Sequence, residues 1–139
     1  MAYLLDSDFL YALVNTGDSR HQDVVQIADG ISGSIHLPVP AITEVAYLIK
    51  RDLGVLEMAA FTQQLPDTGF LLENPLPEDY QRAAEIIIQY ADLKLDFVDA
   101  IIAAVAERLN ITRILTLDHR DFRVIRPRHC QAFELLPSA

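Results

Sequence analysis

Ile114-Leu115-Thr116-Leu117-Asp118 is the stretch on which the fold turns. It opens at Arg113 and runs apolar to Leu117, the clearest strand in the chain, then stops on an acid. The N-terminus repeats the arrangement in Tyr3-Leu4-Leu5-Asp6, a short apolar strand over residues 2–5 that also ends in a carboxylate. In open parallel sheets ligands bind at the carboxyl edge. If the two strands are neighbours, Asp6 and Asp118 project into one crevice.

Between these strands the chain alternates. Phe9, Leu10, Leu13 and Val14 recur at helical spacing, and Asp18 or Ser19 caps a second helix that runs to the Gly30–Gly33 break. Residues 35–37 read as a strand. Pro40 opens a helix with Ile42, Val45, Ala46 and Ile49 on its apolar stripe, ended by Gly54. A short helix over 55–64 and a strand near 69–72 follow. Pro77 opens one further helix and the region from Asp96 to Leu109 forms another. Residues 133–136 read as an edge strand. Strands alternating with more numerous helices define an α/β sandwich around a mostly parallel sheet. With 139 residues, no repeat and no long linker, 1–139 is expected to form one domain.

Composition narrows the function. Half the chain is apolar, yet no run is long enough to cross a bilayer, and the N-terminus does not read as a secretory signal. The lone Cys130 cannot form an internal disulfide, so a soluble cytoplasmic protein is expected. The net charge of −9 argues against a general nucleic-acid binder. That charge is uneven: residues 1–107 hold 5 Lys/Arg against 17 Asp/Glu, whereas residues 108–139 hold 6 against 3. Arg120 and Arg123 lie in this basic tail, either as a solubilising surface or as a rim for a phosphate backbone.

Four acids stand where strands end or helices begin: Asp6, Glu44, Asp99 and Asp118. Gathered by an α/β fold, they supply the oxygen ligands that suit Mg²⁺ or Mn²⁺. Each also has a structural reading. Asp6 and Asp118 suit helix caps or turns, Asp96 caps the helix that Asp99 begins, and Glu44 lies in a first turn favoured by the helix dipole. As a set they point to metal-assisted phosphoryl transfer, which needs no side-chain nucleophile. Ser7 and Thr43, each beside a candidate acid, are either caps or hydrogen-bond partners of a metal-bound water. No phosphate-cradling glycine loop or zinc spacing is present, and His21, His36, His119 and His129 are scattered.

Tyr3-Leu-Leu-Asp6-Ser-Asp-Phe-Leu10, Ile42-Thr-Glu44-Val-Ala46, Asp96-Phe-Val-Asp99-Ala-Ile-Ile-Ala-Ala-Val-Ala106 and Ile114-Leu-Thr-Leu-Asp118-His-Arg-Asp121-Phe122 together resemble the PIN-domain ribonucleases. Within them, the match is to the VapC-type toxins of toxin–antitoxin pairs. The resemblance implies a PIN-like α/β/α sandwich and a Mg²⁺-dependent endoribonuclease with Asp6, Glu44, Asp99 and Asp118 as its metal-binding acids. Either Asp118 or Asp121 fits the fourth position; Asp118 is favoured, with Asp121 structuring the loop. The resemblance further implies a homodimer and a small VapB-like antitoxin, whose C-terminal segment fills the groove between the pockets. Tyr47 and Phe61 are candidates for the dimer surface, with a core role as the equal alternative for either.

Two other readings compete. Leu5-Asp6-Ser7-Asp8 resembles the Asp-x-Asp motif of haloacid-dehalogenase-like phosphatases, with Asp6 as nucleophile and Asp8 as the acid, but neither Lys50 nor Lys94 has the context of that enzyme's lysine. The second is a PIN-like module that binds a partner without catalysis, which metal titration and Asp6→Asn would separate from a nuclease. An RNA-processing PIN nuclease outside a toxin system would share the same acids.

Overall fold

Tyr3, Leu4 and Leu5 are apolar in succession because their strand lies in the middle of the sheet, where Leu4 and Leu5 have no exposed surface. In the computed structural model, which describes residues 1–138, this strand is β1 (Ala2–Leu5). It pairs on one side with β2 (Ser34–Pro38) and on the other with β4 (Arg113–Leu115). Strands β3 (Leu71–Glu73) and β5 (Glu134–Leu136) extend the two sides. The order is β3-β2-β1-β4-β5, and every pairing is parallel.

Seven α-helices cover the sheet among the described residues. They are α1 (Ser7–Val14), α2 (His21–Asp29), α3 (Val39–Leu53), α4 (Val55–Gln64), α5 (Pro77–Gln89), α6 (Phe97–Leu109) and α7 (His119–Val124). The pivotal one is α6. Every residue from Val98 to Ala106 is buried, so the helix is covered all round rather than amphipathic. Its alanines at 100, 103, 104 and 106 let neighbouring elements approach closely. Leu4, Leu5, Ile101, Ile102, Ile114 and Leu115 belong to one continuous apolar core.

Several local expectations are corrected. Helix α2 begins at His21, and its cap position, Arg20, makes no side-chain capping bond. Asp18 instead shapes the preceding turn, its carboxylate accepting from Arg20 N at 2.8 Å. Strand β3 is shifted to Leu71–Glu73, where Glu73 meets His36 Nδ1 at 2.6 Å. Strand β4 stops at Leu115 rather than Leu117. Beyond it, side chains capture the backbone: Leu117 N donates to Asp8 Oδ1 at 3.0 Å and Asp118 N to Thr116 Oγ1 at 3.1 Å. The segment after Asp118, expected as a loop, winds into α7. Phe61 is 7% exposed and belongs to the core, which removes it from the candidate dimer surface, whereas Tyr47 is 63% exposed.

Candidate metal centre

The chain leaves β1 toward β2 and β3 on one side, then crosses to β4 and β5 on the other. A crevice therefore opens at the carboxyl ends of β1 and β4, the switch point where open α/β sheets hold ligands. Asp6 is the first residue past β1, and its N–H donates to Leu115 O at 2.9 Å, which ties it to the end of β4. Asp6 is 3% exposed, and both of its oxygens are engaged. Oδ1 accepts from Ser7 N at 2.7 Å and Oδ2 from Thr116 Oγ1 at 2.7 Å. Ser7 Oγ donates to Glu44 Oε1 at 2.9 Å, linking α1 to α3. Because α3 begins at Val39, Glu44 stands in its second turn, and the first-turn dipole argument does not apply to it.

The other acids come from α6 and α7. Asp96 caps α6 as expected, accepting from Asp99 N at 2.9 Å. That bond leaves the Asp99 side chain free in the first turn, where it is buried. Asp118 caps α7 by accepting from Arg120 N at 3.2 Å. One oxygen each from Asp99, Asp118 and Asp121 lie within 4.8 Å of one another. Asp121 is itself buried, and its Oδ1 has no hydrogen-bond partner. The geometry thus puts Asp118 and Asp121 together against Asp99. Asp6 and Glu44 flank this trio rather than join it.

The electrostatics are uncompensated. Burial, then the charges of Asp6, Asp96, Asp121 and Asp118, push Asp99 up to about 9. Burial and the neighbouring Asp8 push Asp6 up to about 8, against the hydrogen bonds from Thr116 and Ser7. Glu44 and Asp8 are also raised, in both cases first by burial. Among the described residues the ion pair made with the trio comes from Arg120, whose side chain is 81% exposed and whose Nε lies 3.5 Å from Asp121 Oδ1. Packed carboxylates of this kind hold their full charge only with a cation among them. An all-oxygen donor set containing an orphaned buried oxygen fits a hard divalent ion. No histidine joins the group among the described residues.

Two residues of the site have duties that the sequence reading did not assign to them. Thr116 has no exposed surface; it orients Asp6 and accepts from Asp118 N. Its signal was a hydroxyl inside an otherwise apolar strand. Asp8 latches the end of β4 through Leu117 N, a structural duty at odds with the general-acid role of a phosphatase. Of the remaining candidates, Thr43 is exposed on α3, and Arg123 Nη2 meets His119 Nδ1 at 3.4 Å.

A parallel sheet with a largely buried carboxylate trio over its switch point defines an α/β protein whose carboxyl edge carries oxygen donors suited to a divalent cation. The PIN domain model matches residues 3–126, and the chain belongs to that family. Ribonuclease VapC26 of Mycobacterium tuberculosis is 26% identical over 134 residues, spanning 96% of this chain and 99% of its own. Among solved structures, Mycobacterium tuberculosis VapC20, a Sarcin-Ricin loop cleaving toxin, superposes with a TM-score of 0.79 at 22% identity. The match covers 85% of this chain and 91% of VapC20. A toxin–antitoxin complex from Klebsiella pneumoniae gives 0.69 at 22% identity, covering 88% and 92%.

Proposed function

We propose that this chain is a Mg²⁺-dependent endoribonuclease and the toxin of a type II toxin–antitoxin pair. The observation that carries the reading is the Asp99–Asp118–Asp121 trio, in which Asp99 and Asp121 are buried and Asp121 Oδ1 accepts no hydrogen bond, with no buried counter-charge among the described residues. The names of VapC26, a ribonuclease, and VapC20, a toxin, support it. Asp99, Asp118 and Asp121 would hold the ion, with Asp6 and Glu44 beside them. Bound there, Mg²⁺ supplies activation of a water and charge relief for the departing oxygen of a phosphodiester.

The protein's own groups do the positioning. Thr116 and Ser7 fix the Asp6 carboxylate in one orientation, and Ser7 carries that order across to Glu44. Glu44, half-buried with its proton affinity raised, is the carboxylate we assign to take the proton of the attacking water. Arg120 and Arg123 would hold the RNA backbone. A cytoplasmic location follows from an RNA substrate. A small VapB-like antitoxin and a homodimer complete the reading, supported by uncovered apolar side chains at Tyr47, Val55 and Leu56 on α3 and α4. Among the described residues no helix is long and apolar enough to cross a membrane.

The test is incubation of the purified chain with total cellular RNA, with Mg²⁺ or EDTA, alongside Asp6→Asn and Asp99→Asn. Discrete fragments that need both ion and acids are expected. Absence of cleavage by the folded, Mg²⁺-loaded, antitoxin-free chain would favour a silent binding module.

A further inference from the structure

Beside the carboxylates lies a second feature that the proposed chemistry does not use. A cavity of about 470 Å³ is bounded by Thr43 and Glu44 of α3, Asn74, Tyr80 of α5, and Phe97 and Val98 of α6. Tyr80 and Phe97 are 48% and 53% exposed, yet their rings lie stacked, 6.5 Å between centroids and 22° between planes. Two large aromatic rings held parallel in the open form a platform for a third flat group. Both rings sit in the first turns of their helices. The cavity shares a wall with the acids: Val98 precedes Asp99, and Glu44 is joined through Ser7 to Asp6. At the polar rim, Thr43 and Asn74 make no side-chain hydrogen bond to any described residue, which leaves donors and acceptors for a base edge.

We propose that the Tyr80–Phe97 face is a stacking subsite for one unpaired nucleobase of single-stranded RNA, next to the phosphate held at the acids. This rests on the nuclease reading above. A base suits the cavity better than a backbone phosphate would, since Glu44 lines it and no Lys or Arg does. The volume lies within the range of small-ligand sites. Stacking is tolerant of base identity, while contacts at Thr43 and Asn74 can add preference. An unpaired base is required because a paired one hides its face in the helical stack. The substrate class is therefore RNA with an exposed loop or single-stranded segment at the cut.

The probe is a single-stranded RNA hexamer carrying 2-aminopurine at each position in turn, titrated with full-length Asp99→Asn protein in Mg²⁺. The chain has no tryptophan, so the fluorescent base reports alone. Quenching at one position is expected, with binding about tenfold weaker on adding Tyr80→Ala or Phe97→Ala and retained in Tyr80→Phe. Three results would overturn the assignment: no position quenched, quenching unchanged in both alanine variants, or a changed sedimentation mass of the free protein in either. The last would assign the rings to contact between copies. Failure of the wild-type chain to cleave RNA, with quenching intact, would sink the nuclease reading and leave the subsite standing.

Discussion

The two ends of α6 treat acidic residues in opposite ways. Around its start, at the carboxyl edge of the sheet, Asp6, Asp99, Asp118 and Asp121 gather with no buried cation among the described residues. Around its end, where it meets α5, Asp79 and Glu107 each have an arginine. Asp79 is 2% exposed, and both of its oxygens accept from Arg108 Nε, at 3.0 and 2.9 Å. Glu107 accepts from Arg82 at 2.7 and 3.1 Å and from Arg128 N at 2.9 Å. Burial raises the Glu107 carboxyl, but these partners hold it below its ordinary value, whereas Asp6 and Asp99 are pushed up to about 8 and 9. Asp79 and Glu107 tie α5 to α6. The acids of the carboxyl edge cost stability and persist where a ligand can repay them.

Removing one acid from each end should separate these roles. Asp99→Asn is expected to lower RNA cleavage by about a thousandfold, on the scale of a lost charge-stabilising group. The same change should raise the stability of the metal-free fold at pH 8 by roughly 1–2 kcal/mol, because it deletes a carboxylate that burial and four acids disfavour. Asp79→Ala should do the reverse. It strands Arg108 and frees Leu76 N, which now donates to Asp79 Oδ2 at 2.8 Å, and should cost about 3–5 kcal/mol. Urea unfolding together with a cleavage assay reads both. Loss of stability in Asp99→Asn would erase the distinction.

The ends should also differ in pH dependence. The folded-state values of Asp6 and Asp99 lie above the ordinary 3.8, so the folded chain binds more protons than the unfolded one between about pH 4 and 9. Stability of the metal-free protein should therefore fall as pH rises through that window. Thermal melts in EDTA at pH 6 and 8.5 should show it, and Mg²⁺ should flatten the slope by replacing the protons. A melt that rises with pH in EDTA would contradict the raised carboxylates.

Much of this asymmetry was legible in the chain because short-range rules governed it. Tyr3-Leu4-Leu5 and Ile114-Leu115 read as strands from uninterrupted apolarity, and Asp96 as a cap from its spacing to Asp99. What stayed hidden depends on who donates to whom across long gaps in sequence. Nothing near residue 116 reveals that Thr116 would turn to Asp6, 110 residues away, or that Asp8 would end β4 by taking the N–H of Leu117. The resemblance gives Asp121 a loop-structuring role, yet α7 brings it beside Asp99 and Asp118. Replacing Thr116 with Val tests that hidden layer. Shape is kept while the 2.7 Å bond to Asp6 is lost, so cleavage should drop 10- to 100-fold at little cost in folding.

The smallest expected effect concerns the boundary between acids and solvent. The Arg120 side chain is 81% exposed, and among the described residues its one acidic partner is Asp121 at 3.5 Å, an exposed-to-buried contact of little net worth. Arg126 and Arg128 are committed to the protein, donating to Arg123 O and to Glu85. Arg120 and Arg123 thus remain the arginines of this region with reach toward a substrate. Replacing either with Ala should raise KM a few-fold with kcat unchanged. The dependence of log(kcat/KM) on log salt should flatten by about 0.7 per lost phosphate contact. The alternative outcome is as informative. If Arg120→Ala leaves the salt slope intact but tightens Mg²⁺ binding, Arg120 is a counter-ion that the metal displaces from Asp121, and the backbone contact passes to Arg123 alone.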